Sequence, residues 1–218
     1  MSRKRTCGGR PPNRGRTRPS VRGGHGDGYH RRVLGADDVL DPAPRRVLVA
    51  GVTGVGKTTT ARRIAALRGI PHTEIDALFH GPGWEPRPAF VADVDAFTSR
   101  SAWVTEWQYA PVRQLLADRA DTLVWLDLPT PVALWRLLRR TIRRRLGRTE
   151  LWNGNVEPPL WTFFTDRGHI LRWGISTRNS ARRQVPELLR TAPHLRVVRL
   201  RSQREIDRFV QRLGAHRG

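Results

Sequence analysis

Short, almost wholly apolar runs alternate along the chain with longer stretches whose apolar residues recur every three or four positions. The run at 45–51, which closes on Val47-Leu48-Val49-Ala50-Gly51, predicts a buried strand of a parallel sheet. Behind it, residues 57–69 put Ile64, Ala65 and Leu67 on one helical face and end on Gly69, a helix stop. Further strands are predicted at 70–78, 101–107, 121–129 and 195–200, the one at 121–129 cut short by Pro129. Helices are predicted at 89–100, after Pro111, from Pro131 through a long Arg-rich stretch, over much of 166–191, and at 203–213. Gly and Pro make 80–88 a loop, and 147–165 reads as irregular. Strands alternating with helices imply an α/β fold, a parallel sheet covered on both faces. Residues 33–44 carry Pro42 and Pro44 and read as a linker, with the ordered domain starting at Arg45.

Composition narrows the setting. The chain has 218 residues, enough for one ordinary domain and an appendage. No apolar stretch approaches the roughly 20 residues of a membrane helix. The basic N-terminus is followed by no apolar core of the secretory type. Cys7 is the single cysteine, so neither an internal disulfide nor a cysteine-based zinc site is expected, and a cytoplasmic setting is the default reading. The formal net charge is +21, and Lys4 and Lys57 are the only lysines among 40 basic residues. Residues 1–32 are Arg-, Gly- and Pro-rich and nearly free of aliphatics, so they cannot bury enough apolar surface to offset their chain entropy and are expected to be disordered. Two readings of that tail stand: a nucleic-acid-binding arm that releases counterions from phosphates, or a solvated tail without a partner.

Gly51-Val52-Thr53-Gly54-Val55-Gly56-Lys57-Thr58 satisfies G-x-x-x-x-G-K-[ST] at every required position and lies between the strand and the helix that the motif demands. Its glycines let the backbone curl until successive N–H groups converge on phosphate oxygens, and the N-terminus of the next helix adds its positive dipole end. In this reading Gly51, Thr53, Gly54, Val55, Gly56, Lys57, Thr58 and Thr59 cradle a nucleoside triphosphate. Lys57 reaches the β- and γ-phosphates, and the Thr58 hydroxyl ligates Mg²⁺. A guanine-reading N/T-K-x-D motif is missing, and the seven histidines show no metal-binding spacing, so Mg²⁺ is expected to arrive with the nucleotide.

Further segments join the loop in a recognisable order: EIDALFHGPGW (74–84), WVTEWQY (103–109), VWLDLP (124–129), RRTIRRRLGRTELWNGNVE (139–157) and ILRW (170–173). Together with GVTGVGKTT (51–59) they resemble the nucleoside-monophosphate-kinase superfamily, and within it the bacterial adenylate-kinase-like group labelled topology modulation proteins. The resemblance covers nearly all of 45–218. It implies a P-loop NTPase three-layer αβα sandwich with a five-stranded parallel sheet in the order 2-3-1-4-5, a small lid at about 139–165, and ATP with Mg²⁺ as ligands. It also implies that Arg201 and Gln203 lie where relatives contact the adenine ring. Glu106-Trp107-Gln108-Tyr109 departs from the Asp-Gly-aromatic turn of many relatives. The short stretch between Asp76 and Trp103 resembles the compact acceptor sites of small-metabolite kinases more than an AMP-binding domain.

Asp76 and Glu106 fall at the ends of the predicted second and third strands, where open α/β sheets bind ligands. Glu106 is expected to hold the water shell of Mg²⁺, and Asp76 to take the acceptor's proton or orient its hydroxyl. The alternative for either is a helix cap or a pair with an arginine. Asp127 reads as a structural cap. Seven arginines lie between Arg136 and Arg148; on a helix Arg136, Arg140, Arg143 and Arg144 share one side, while Arg139 and Arg145 lie on another. Arg139, Arg143 and Arg148 are the candidates to close over ATP and stabilise transferring charge. ELWNGNVE (150–157) reads either as a lid or as a loop held by Trp152, and Trp84 either stacks on an acceptor or packs in the core. Two functions follow. One is an ATP-dependent phosphotransferase moving the γ-phosphate to a nucleotide or small metabolite. The other is a nucleic-acid-associated P-loop ATPase or regulator that uses the basic tail and the Arg-rich helix.

Overall fold

The structure, a computed structural model, describes residues 33–146 and 180–215, with backbone alone for 144–146. The basic tail, Arg148, the 150–157 segment and the predicted helical stretch before residue 180 lie outside the described residues.

Strands β1 (Val33–Leu34), β2 (Arg46–Gly51), β3 (Trp103–Glu106), β4 (Thr122–Leu126) and β5 (Arg196–Leu200) form one parallel sheet in the order β1-β5-β4-β2-β3. The helices are α1 (Lys57–Arg68), α2 (Ile75–Phe79), α3 (Phe90–Thr98), α4 (Arg113–Arg119), α5 (Thr130–Leu146), α6 (Ser180–Thr191) and α7 (Gln203–Ala215). Alternate residues of each strand serve opposite layers. Val47, Val49, Val124 and Val198 pack with Ile64 of α1 and Phe209 and Val210 of α7. Leu48, Trp103, Leu123 and Val197 pack with Val94 of α3, Leu116 of α4 and Leu188 of α6. Burial on both faces is why the strands read as continuous apolar runs rather than as alternating ones. The result is the three-layer α/β sandwich with its phosphate loop at the sheet's centre.

Two elements differ from the sequence reading. The predicted strand at 70–78 shrinks to a single bridge, His72 with Val104. Thr73 N–H still bonds Val104 O at 3.0 Å, as a parallel ladder requires. The next inward-facing donor, Ile75 N–H, goes to the Glu106 side-chain Oε2 at 3.1 Å. The ladder stops there, and the chain coils into α2. The fifth place in the sheet is filled at the opposite edge by β1, whose Val33 pairs with Val197 of β5. The supposed linker is thus part of the fold from Val33 onward. Ala36 and Leu40 are buried with Phe209 and Leu213, and Asp37 pairs with Arg208 and Arg212 at 3.2 and 3.5 Å. The predicted order 2-3-1-4-5 survives for the four strands β3-β2-β4-β5. Among the described residues, no helix is long and apolar enough to cross a membrane.

Candidate functional site

β2 delivers the chain to the C-terminal edge of the sheet, where residues 51–56 turn it into α1. Gly51, Gly54 and Gly56 have φ of 153°, 82° and 104°, conformations that L side chains rarely adopt. Gly56 is the α1 N-cap, with no side-chain cap and no acidic residue in the first turn. The first N–H groups of a 12-residue helix are thus left facing the mouth of the loop, an arrangement suited to an anion. A Cβ on Gly54 would come within 2.5 Å of Ala133 O and 2.8 Å of Leu137 Cβ, so α5 lies directly against the loop. Gly54→Ala is expected to push α5 off its seat and lower stability by roughly 2 kcal/mol. Thermal unfolding reads this, and an unchanged melting temperature would contradict the close packing.

Lys57 is folded back on the loop, its Nζ 3.5 Å from Val52 O. Burial pushes its pKa down, the negative charges of Asp76 and Glu106 pull it up, and the positive charge of Arg140 lowers it again. Thr58 and Thr53 are half-buried beside it, and Thr59 is exposed. From α5, Arg136 reaches both Val55 O at 3.3 Å and Gln203 Oε1 at 3.0 Å, tying the loop to the start of α7. Two residues before that helix, Arg201 is exposed and gives its backbone N–H to Glu205 at 2.7 Å.

Asp76 stands in the first turn of α2, and its Oδ1 accepts the Tyr109 hydroxyl at 2.7 Å and the Gln108 amide. Burial raises its pKa above the usual carboxylate range, while the Tyr109 hydrogen bond and the charge of Lys57 work against that rise. Glu106 is 1% exposed. Its oxygens are occupied by His72 Nε2 at 3.2 Å and Ile75 N–H at 3.1 Å. Burial alone would raise the Glu106 pKa, yet these hydrogen bonds outweigh it and hold the carboxyl below its ordinary value. Each Glu106 oxygen thus has one protein partner, and the bond to Ile75 N–H turns the chain into α2, which brings Asp76 within electrostatic reach of Lys57.

The other expectations divide. On α5, Ala133, Leu137 and Thr141 are buried and Arg136 and Arg140 lie beside them, whereas Arg139 and Arg143 are exposed. Arg136 reaches the loop itself through Val55 O, and Arg140 lies near enough to Lys57 for their charges to oppose. Asp127 is buried in a pair of ion pairs, with Arg182 Nε at 2.7 Å and Arg199 Nε at 2.8 Å, and Arg199 lies 4.4 Å above the Trp125 ring. That carboxylate joins α6 and β5 to β4. Trp84 sits edge-on to His80 at 5.1 Å. Tyr109, Gln108, His72 and His80 were not singled out from the sequence. Their only signal was adjacency to Asp76 and Glu106 in two short segments, since the contacts among them are made across the sheet edge.

β2, the glycine turn and α1 together are the strand, phosphate loop and helix of the P-loop NTPase fold. No known protein-family pattern matches the chain. Over 130 residues it is 31% identical to the ATP-dependent protease ATPase subunit HslU of Caulobacter vibrioides, covering 59% of this chain and 30% of that protein. It is 33% identical over 129 residues to the same subunit of Phenylobacterium zucineum, with 58% and 29% covered. The chain thus spans about 30% of the length of these curated relatives. Among solved structures, shikimate kinase from Acinetobacter baumannii in complex with shikimate aligns at 18% identity and a TM-score of 0.48, over 78% of this chain and 90% of that one. A gluconokinase from Sinorhizobium meliloti 1021 aligns at 21% identity and a TM-score of 0.40, over 79% and 94%. No residue role carries over from either.

Proposed function

We propose that the chain is an ATP-dependent phosphotransferase that moves the γ-phosphoryl group of ATP to a hydroxyl or phosphate acceptor of a nucleotide or small metabolite. The observation that carries this reading is the setting of Asp76: a half-buried carboxylate of raised pKa, in the first turn of α2, bonded to Tyr109 and within electrostatic reach of Lys57. A phosphate loop alone suits any nucleoside triphosphatase. A carboxylate opposite it suits transfer to an acceptor.

The glycine cradle and the uncapped start of α1 support binding of the triphosphate tail, with Lys57 at the β- and γ-phosphates. The same cradle fits Mg²⁺ brought by the nucleotide, and the Thr58 hydroxyl is the group that would hold it. Bound there, the ion supplies charge neutralisation on the phosphates. Arg136 and Arg140 add positive charge above the loop, and Gln203 supports an adenine site at the start of α7. With a hydroxyl acceptor, Asp76 takes the hydroxyl proton as the oxygen bonds to the γ-phosphorus and the bond to the β-phosphate oxygen breaks, leaving ADP. The raised pKa suits a group that must accept a proton near neutral pH.

The test is a screen of phosphoryl acceptors with ATP–Mg²⁺, scored as ADP formed above the rate without acceptor. At least one hydroxylated metabolite or nucleotide is expected to stimulate ADP formation and to emerge phosphorylated. Uniform acceptor-independent hydrolysis would replace this reading with an ATPase.

A further inference from the structure

Among the described residues, the non-glycine residues with positive φ are Trp84 and Tyr109, at 65° and 63°. Both are aromatic; Trp84 closes the segment that carries Asp76, and Tyr109 follows β3. Tyr109 has φ 63° and ψ 108°, outside the basins that suit an L residue with a bulky side chain. Such backbone strain persists only where the surroundings over-determine it, and it gathers at functional sites. The Tyr109 ring is held rigidly: it stacks on Phe79 with centroids 3.9 Å apart at 19°, and Phe90 meets it edge-on at 5.4 Å.

The strained backbone and the stacked ring deliver one atom, the phenol oxygen, to 2.7 Å from Asp76 Oδ1 and 3.1 Å from His80 Nε2. A phenol has a single hydrogen to donate. An ionised carboxylate can only accept, so the hydrogen goes to Asp76, and His80 donates Nε2–H to the phenol oxygen. His80 caps α2 one turn beyond Asp76, its N–H bonding Asp76 O at 3.0 Å, and Tyr109 spans that turn from the loop after β3. Gln108 also donates to Oδ1, while among the described residues no donor falls on Oδ2.

We propose that Tyr109 is the positioning residue of Asp76: its hydroxyl pins Oδ1 and leaves Oδ2 for the acceptor hydroxyl, with His80 orienting the phenol. The proposal rests on the phosphotransferase reading for its catalytic consequence, though not for the contact itself. The charged and titratable groups facing Asp76 are Lys57 from α1, Glu106 from β3, His80 from its own helix and Tyr109 from the loop after β3. Of these, Tyr109 is the one that favours the ionised carboxylate by a direct hydrogen bond at its oxygen.

The experiment is a titration of the Asp76 carboxyl carbon by NMR in the full chain, read beside the pH profile of acceptor-dependent turnover. Tyr109→Phe keeps the ring and its stack and removes the donor. The Asp76 midpoint is expected to rise by about one pH unit. The acid limb of kcat/KM should rise with it, while kcat falls and ATP affinity stays at the parent's value. Uniform replacement of tyrosine by 3-fluorotyrosine makes a stronger donor of nearly the same shape, and should move the midpoint the other way. It also keeps the measurement informative if Tyr109→Phe folds poorly. A midpoint unmoved by either change would overturn the contact. A midpoint that moves while the acid limb of turnover stays fixed would overturn the positioning role. If the parent shows no acceptor-dependent turnover, the phosphotransferase reading fails, and the NMR titration judges the Tyr109–Asp76 contact alone.

Discussion

Replacing Lys57 with alanine is expected to weaken ATP binding sharply and to lower kcat/KM on the order of 10³-fold, the scale of losing one charge-stabilising group in a preorganised site. Several features make this the largest single loss. Lys57 is the only lysine outside the N-terminal tail, so no neighbouring ammonium can move into its place. Its amine is half-buried against the loop, which strengthens any interaction with phosphate relative to an exposed group. Arg136, which reaches the loop from α5, is committed to Val55 O and Gln203 Oε1 and cannot leave without unfastening the loop from α7. Calorimetric titration with ATP–Mg²⁺ measures the effect directly. Parent-like affinity in Lys57→Ala would refute the assignment of the loop to a triphosphate.

Asp76→Asn should separate chemistry from binding. Asparagine keeps the shape and an Oδ1 that still accepts from Tyr109 and Gln108, but it cannot take a proton. Turnover with the best acceptor is expected to fall by about 10²–10⁴-fold, the usual contribution of a positioned base, while ATP affinity changes only a few-fold. Measuring kcat by ADP release and nucleotide affinity by titration distinguishes this from a folding defect. Asp76→Asn turnover within a few-fold of the parent would move the acceptor's proton to another group. Lys57→Ala and Asp76→Asn thus predict opposite patterns, one lost at the nucleotide and the other at the transfer step.

The phosphate loop was legible before any coordinates because its chemistry is local. Three glycines, a lysine and a threonine at set spacing dictate a curled backbone at a helix start, and that geometry needs no distant partner. The strands at 46–51, 103–106, 122–126 and 196–200 were legible for a similar reason: burial on both faces writes a continuous apolar run into each segment. What the local pattern misjudged were the edges of the sheet. Residues 70–78 carry strand-like composition, yet the side chain of a residue 31 positions away accepts the Ile75 N–H and ends the ladder. Val33 and Leu34 look like linker until β5 offers them an open edge.

The roles of the acids and arginines show the same division. The sequence put Asp76 at a strand end, but the fold places it in the first turn of α2, where it meets Tyr109 and Gln108. Glu106 does stand at the end of β3, and its partners there, His72 and Ile75 N–H, are supplied only by the fold. Helical spacing sorted the arginines of 136–148 into sides, while the contact of Ala133 and Leu137 with Gly54 selected the side that faces the loop. The phosphate loop is therefore written in consecutive residues, since backbone curvature and helix capping act over a few positions. The cluster around Asp76 exists only after folding. Its hydrogen bonds join α2 to the end of β3 and the loop beyond it, and a donor's partner is set by which surfaces the core forces together.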